Sequence, residues 1–378
     1  MKIGRNSELL TKDMKGRLRF DFILLIVTLA LVGVGIVMVY STSAIMAGER
    51  FQDPYYFLKK QALFAGIGFI LMICTLFFPY TILKRLAYPI LIVSVLLLVA
   101  VLIPGIGYRA GGAMRWLKIQ SVSFQPSEFA KLGLVIFLSY FLTKKDEKIR
   151  SFSFGFLPTV LLSGLVVVLV AKEPDLGAAL FLSGMVFLLL FVSGARVIYM
   201  AGALLLTIPV VYTLLMNVGY RYKRLMSFIR PWDDPTGTSF QIIQSFLSFG
   251  SGGLFGLGLG EGRQKLFFLP APHTDFIFSV IGEELGLVGA MMVVLLFFVF
   301  TVRGIQIGLS LDDRFGAYLA LGVTLMISLQ AVINMAVVLG LLPTKGLTLP
   351  FISYGGTSLI TNLVGVGILL HLSTRVDR

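Results

Sequence analysis

The sequence predicts an all-α polytopic membrane protein of about ten transmembrane helices, and two observations carry that reading. Hydrophobic residues make up 57% of the 378 residues and charged ones 13%, with a mean hydropathy of +0.92, outside the range of soluble domains. Apolar runs of about 18 residues or more, enough to cross a hydrocarbon core of roughly 30 Å, recur near 21–44, 61–79, 85–104, 127–143, 154–171, 175–193, 197–217, 276–302, 315–340 and 355–373. The chain reads as one membrane domain over 1–378, with a polar tail at 1–20 and one large extracytoplasmic loop at 218–274.

The first 20 residues are polar and basic, and the apolar run behind them is too long for a signal-peptide core, so the first helix stays as an anchor. Lys2, Arg5, Lys12, Lys15, Arg17 and Arg19 place that tail in the cytoplasm, and ten spans return Arg375 and Arg378 to the same side. Gly33, Gly35, Ser41 and Ser43 give the first span a small face for helix packing. Tyr40, Phe51, Tyr55 and Tyr56 form an aromatic belt at its outer boundary. The one cysteine, Cys74, lies in a span, and two histidines are too few for a His-rich metal centre.

The loop from Pro104 to Gln125 is glycine-rich and basic, with Arg109, Arg115 and Lys118, and reads as flexible. In the segment that follows, Pro126 and Ser127 are helix-start residues and Glu128 suits the positive end of a helix dipole. Glu128 and Lys131, at i,i+3, share a face at the start of an apolar span, where ionisable groups are costly. They line a site or simply pair. Lys172-Glu173-Pro174-Asp175 joins two spans with little spare length, and Asp175 either caps the next helix or adds a site carboxylate.

The loop 218–274 opens with Arg221, Lys223, Arg224 and Arg230, followed by Pro231-Trp232-Asp233-Asp234-Pro235-Thr236-Gly237, which is turn chemistry with an aromatic anchor. Phe240 to Phe249 reads as a re-entrant or interfacial helix, with Gln241, Gln244 and Ser245 on one side and Ile242, Ile243, Phe246 and Leu247 opposite. The glycines from Gly250 to Gly262 let backbone amides approach an anion, or only loosen the loop; they fit no P-loop or dinucleotide fingerprint. The cations of this loop and of the earlier one suit an anionic ligand or outer-leaflet lipid headgroups.

Asp275, Ser279, Gly282, Gly286 and Gly289 recur at helical spacing as a small, polar stripe on span 276–302. Glu283 lies deeper on nearly the same face and Glu284 points away. Span 315–340 holds Gln330 and Asn334, and the loop after it carries Lys345 and Ser353 between and beyond two prolines, backbone that must be buried or line a cavity.

The stretches QPSEFAK (125–131), EPDLG (173–177), PWDDPTGTSFQIIQS (231–245), GSGGLFGLGLGEGRQKLFFLPAPHTDFIF (250–278) and PTKGLTLPFISYGGTS (343–358) resemble, in order, the SEDS family of shape, elongation, division and sporulation proteins. Within FtsW, RodA and SpoVE, the likeness favours the FtsW/SpoVE branch; Thr348 stands where the family commonly has proline. The resemblance implies a peptidoglycan glycosyltransferase of the cytoplasmic membrane. It would polymerise lipid II, an undecaprenyl-diphosphate-linked disaccharide-pentapeptide, at the outer face during cell division, elongation or sporulation. Its implied partners are a class B penicillin-binding protein transpeptidase and other cell-division proteins, with no nucleic acid. The essential loop aspartate falls on Asp275, the cavity Glu and Lys on Glu128 and Lys131, and the EPDLG aspartate on Asp175.

That chemistry needs a general base near the acceptor hydroxyl and positive charge on the departing diphosphate. Asp275 is the expected base. Arg109, Arg115, Arg221, Arg224, Arg263, Lys265, Lys131 and Lys345 form the pool of cations, and a divalent cation, Mg or Mn, would serve the same end. Gln244, Ser245, His273, Thr274 and Ser353 are further expected substrate contacts. Ten spans with internal charges also suit a lipid II flippase or transporter, although the polar motifs cluster at one face and no inverted repeat is visible. A non-catalytic scaffold recruiting the transpeptidase would leave Asp275 replaceable.

Overall fold

The computed structural model describes residues 20–376 apart from 111–112, 120–121, 217–218, 238 and 264–271. Every apolar run forms a helix: α1 (Phe22–Phe51), α2 (Tyr56–Phe77), α3 (Thr81–Leu102), α4 (Pro126–Lys144), α5 (Leu157–Lys172), α6 (Leu176–Val192) and α7 (Val197–Met216). The loop 218–274 contributes α8 (Gly219–Ile229) and α9 (Phe240–Gly252), and α10 (Ile277–Leu309), α11 (Arg314–Val338) and α12 (Gly356–Ser373) complete the bundle. Among the described residues seven segments are long and apolar enough to cross a membrane, in α1, α2, α3, α5, α10, α11 and α12, while α6 and α7 supply shorter apolar helices. Glu128 and Lys131 near its start dilute the apolar character of α4.

The centre of the bundle is α4, buried along most of its length, with α11 and α12, whose most apolar windows are 72% and 78% buried. The outer helices turn large apolar side chains outward, Ile70 and Phe77 on α2 and Leu206 on α7 among them. In lipid that exposure has no cost, so close packing decides which faces turn inward. Gly35 shows the closeness: a Cβ there would stand 2.4 Å from the Phe351 carbonyl oxygen and 2.8 Å from Ile352 Cα, so α1 backs directly onto the turn before α12.

Two segments depart from the expectation. The loop 104–125 is not loose; it folds as a three-stranded antiparallel sheet of β1 (Gly107–Ala110), β2 (Ala113–Ile119) and β3 (Val122–Phe124), in that order. Alternation along β2 puts Arg115 on the face of Ala113 and Leu117, both buried, and so turns it inward.

The second departure lies in α10, which is not continuous. At Gly286 the backbone takes φ 70, ψ −167 and the helix breaks. Freed amide groups inside a membrane need partners, and the glycine segment after α9 supplies them. The amides of Leu257 and Gly258 donate to the carbonyls of Glu283 and Glu284 at 3.0 Å each, and those of Leu287 and Val288 donate to Gly253 and Leu254 at 2.9 and 3.1 Å. The described glycines between 252 and 258 therefore serve the broken helix through their backbone, not an anion. The small stripe on α10 is likewise a packing groove: a Cβ on Gly282 would lie 2.3 Å from the Phe249 ring, and one on Gly252 would lie 2.0 Å from the Gly282 carbonyl oxygen.

Helix α9 forms where the sequence predicts it, but with a different inner face. Ile242, Ile243, Ser245 and Ser248 are buried, and Ser245 Oγ donates to the Val338 carbonyl at 2.7 Å. Ser245 thus docks α9 onto α11 and is not among the residues lining the cavity at the starts of α2, α4, α10 and α12; nor is Gln244, whose carbonyl accepts from Ser248. Glu284 does not point away: α1 packs on its side, and Ser41 Oγ donates to its two oxygens at 2.8 and 2.6 Å. Glu283 accepts from the Arg263 amide at 2.7 Å.

Candidate functional site

At one end of the bundle, the starts of α2, α4, α10 and α12 and the small sheet surround a cavity of about 510 Å³. Helix starts carry partial positive charge, which favours an anionic occupant. The sheet contributes Tyr108, Arg115 and Trp116, and the segment before α10 contributes His273, Thr274 and Asp275. Gly346, Thr348 and the entrance to α12 from Tyr354 to Ser358 form another wall, and Lys60, Leu63 and Phe64 of α2 close it.

Asp275 is the one carboxylate among the described residues lining the cavity. Its peptide is held from behind: Asn334 Nδ2 donates to its carbonyl at 2.9 Å and to Leu347 at 2.6 Å, and Ser353 Oγ donates to the Thr274 carbonyl at 2.6 Å. Ser353 is buried and spends its hydroxyl on this support. Burial raises the Asp275 pKa to about 6, the Asp175 charge adds to the rise, and Arg115 and Arg224 oppose it.

Arg115 organises the next layer. Its Nη1 stands 3.3 Å from Asp175 Oδ2, and its Nη2 and Nε donate to the carbonyls of Pro174 and Glu173 at 2.8 and 3.4 Å. Asp175 also caps α6, accepting from the Ala178 amide at 3.0 Å, so the cap coexists with the ion pair, and Asp175 stands behind Arg115, not in the cavity lining. Lys345 packs against Gly177 beside Asp175; burial lowers its pKa and the Asp175 charge works the other way. A Cβ on Gly346 would stand 3.4 Å from Asp275 Oδ2 and 3.9 Å from Arg115 Nη1, so the absence of a side chain there keeps carboxylate and guanidinium open to each other.

Glu128 and Lys131 sit outside the cavity lining. Their ion pair is buried and short, 2.7 Å, and Lys131 Nζ also donates to Gln330 Oε1 at 2.6 Å. Gln330 in turn donates to the Thr348 carbonyl at 2.9 Å, so the pair reaches the cavity wall through Gln330. The remaining expected cations scatter. Arg109 is exposed on β1, Arg224 is exposed on α8 yet close enough to act on Asp275, and Arg263 is exposed with its backbone amide on Glu283. The Arg221 side chain and all of Lys265 lie outside the described residues.

His273 is buried between Phe57 and Tyr354, with ring centroids 4.5 and 5.7 Å away. Burial lowers its pKa to about 4, which leaves it uncharged at neutral pH. Burial raises Tyr354 to about 12. The residue sequence reasoning passed over is Glu173. It is fully buried, neither carboxyl oxygen has a hydrogen-bond partner among the described residues, and burial beside Asp175 raises its pKa to about 8. The signal was its place in a charged turn between two spans.

The family model for the cell cycle proteins FtsW, RodA and SpoVE matches residues 22–378. A probable peptidoglycan glycosyltransferase FtsW of Geobacter metallireducens is 49% identical over 358 residues, covering 95% of this chain and 96% of that protein. Stage V sporulation protein E of Bacillus subtilis is 43% identical over 353 residues, covering 93% and 96%. Among solved structures, a chain of a peptidoglycan synthase complex that coordinates polymerization and crosslinking superposes with a TM-score of 0.78 at 33% identity, over 95% of this chain and all 100% of that one. The rod shape determining protein RodA of Thermus thermophilus gives 0.69 at 30% identity, over 96% and 99%. With its length matched from α1 onward and its bundle superposing on both structures, the chain belongs to the FtsW, RodA and SpoVE family.

Proposed function

We propose that this chain is a peptidoglycan glycosyltransferase that polymerises lipid II at the outer face of the cytoplasmic membrane. A class B penicillin-binding protein works beside it as transpeptidase, with other cell-division proteins. The observation that carries the reading is the cavity in which Asp275, the one carboxylate among the described lining residues, is poised near pKa 6 beside Arg115.

In the reaction the acceptor sugar hydroxyl attacks the anomeric carbon of the donor, and its proton passes to the Asp275 carboxylate. The bond from the anomeric carbon to the phosphate oxygen breaks and the diphosphate leaves with the electron pair. One carboxylate suffices for such a single displacement, whereas a covalent glycosyl-enzyme needs a second about 5–5.5 Å away. A carboxylate whose pKa lies just below the working pH is mostly ionised and still basic enough to accept the proton. Arg115 stabilises the charge that gathers on the leaving diphosphate.

The described residues contain no group of three or more His, Cys, Asp or Glu that would cage a metal ion. A divalent cation arriving with the diphosphate would take Asp275 as its protein carboxylate, the sparse protein ligation typical of Mg²⁺. The test is polymerisation of lipid II by the purified protein with its transpeptidase. Glycan strands support the reading; translocation of lipid II across liposomes without strand formation would replace it with transport.

A further inference from the structure

A second cleft, of about 450 Å³, opens at the end of the bundle opposite the cavity, between the link from α4 to α5 and the start of α7. Arg150, Ser151, Phe152, Ser153, Arg196 and Tyr199 line it, and no carboxylate is among its described lining residues. Asp146, close by in sequence, is already paired with Arg314. Neither Arg150 nor Arg196 has a carboxylate within ion-pair distance among the described residues. Arg196 is held without being neutralised: its Nη1 donates to Tyr199 Oη at 3.4 Å, and its guanidinium carbon lies 5.9 Å from the centre of that ring. Tyr199 in turn meets Phe152 edge-on, ring centroids 5.3 Å apart, which ties the two walls together.

The backbone adds charge of the same sign. The helix that continues as α5 opens at Phe152 in a single π turn, and Ser151 before it is extended and makes no side-chain cap. Neither this helix nor α7 has an acidic residue in its first turn. Two helix starts therefore reinforce two unpaired guanidinium groups, which suit a phosphate bidentately.

The flanks of the cleft indicate which phosphate. Leu157 and Leu161, one turn apart on α5, and Val197 and Ile198 at the start of α7 are exposed apolar side chains. They belong to spans, so they face hydrocarbon, and the positive-inside rule puts this end of the bundle in the cytoplasm. A basic recess between spans at that depth matches a lipid headgroup whose acyl chains follow the helices. A soluble phosphate would meet the arginines but leave those flanks unused.

We propose that this cleft binds an anionic phospholipid of the cytoplasmic leaflet, with Arg150 and Arg196 on its phosphate and its acyl chains along Leu157 and Leu161. The site is separate from the cavity and stands independently of the glycosyltransferase reading.

The test titrates phosphatidylglycerol, phosphatidylcholine and glycerophosphoglycerol, the first headgroup without acyl chains, into the purified full chain in detergent, with bound lipid counted by native mass spectrometry. Wild type is compared with the double variant Arg150→Gln/Arg196→Gln and with Lys84→Gln/Arg85→Gln, which removes the same charge from exposed positions at the start of α3, at the same end of the bundle. Loss of the charge-assisted contacts predicts phosphatidylglycerol binding at least about tenfold weaker in the first variant. In the second it stays near wild type, and phosphatidylcholine binds weakly to all three. If the first variant does not elute and unfold as wild type does, Arg150→Gln and Arg196→Gln are measured singly, each with weakened binding expected. Unchanged phosphatidylglycerol binding in folded variants lacking these arginines overturns the site. An equal loss in Lys84→Gln/Arg85→Gln overturns it too, because attraction would then belong to the whole basic face. Glycerophosphoglycerol bound as tightly as the lipid overturns the role given to Leu157 and Leu161.

Discussion

Arg115 and Asp175 form an ion pair of 3.3 Å beside Asp275, and the two act on Asp275 in opposite senses, Asp175 raising its pKa and Arg115 lowering it. For a base with a pKa of about 6 in the free protein, kcat/KM rises with pH through 6 and then levels. Asp175→Asn removes a raising charge and frees Arg115, so the acid limb moves to lower pH. Arg115→Gln removes a lowering charge and moves it higher. Polymerisation rates across pH at low lipid II read the position of the limb independently of its height.

Glu173 predicts a pH-dependent stability. Folded, it keeps its proton up to about pH 8; unfolded, it ionises near the ordinary carboxyl value of 4.5. Stability from this group is therefore complete below 4.5 and is lost as pH rises toward 8. Glu173→Gln cannot ionise, so its apparent unfolding temperature in detergent should fall less than that of wild type over the same rise. The gain at the upper end is on the order of a few kcal/mol, about 1.4 kcal/mol for each unit between the unfolded and folded pKa. Parallel curves for the two proteins would contradict this account of Glu173.

The break in α10 is tested with one methyl group. At Gly286, φ is +70, and a Cβ would lie 2.3 Å from the Gly256 nitrogen. Gly286→Ala costs about 1–3 kcal/mol in backbone strain alone and also pushes apart the strand-like pairing with 253–258. Gly66 on α2 has nothing within 4 Å of its Cβ position, so Gly66→Ala should stay within about 1 kcal/mol of wild type. Thermal unfolding of the two variants side by side makes the comparison.

The helices were legible in the sequence because an apolar run long enough to cross a bilayer has few other folds, and the cavity carboxylate because the stretch 250–278 resembles the SEDS family, whose essential loop aspartate falls on Asp275. What escaped depends on neighbours distant in sequence. Gly286 fits a helical stripe as well as a break, and only the segment 253–258 laid against it decides between them. The strands at 107–124 are short and interrupted by glycines, which reads as loop until Arg115 is seen tied to the turn at 173–175. Ser245 carries a hydroxyl suited to a sugar, but in the fold it meets a carbonyl of α11. Lys60 follows Lys59 at a span boundary, where lysines commonly reach for water; Lys59 does, pairing with the exposed-side Asp53 at 2.8 Å, while Lys60 turns to the cavity.

The central claim is that Asp275 takes the proton from the acceptor hydroxyl, and the most direct measurement is lipid II polymerisation by Asp275→Asn purified with its transpeptidase. The variant keeps the size and hydrogen-bonding shape of the side chain and leaves the backbone carbonyl to Asn334 untouched. It should fold, bind undecaprenyl diphosphate and bind its partner as wild type does, and lose polymerisation by about 10²–10⁴-fold, the contribution of a positioned general base. Glycan strands formed by Asp275→Asn at a rate near wild type would contradict the account.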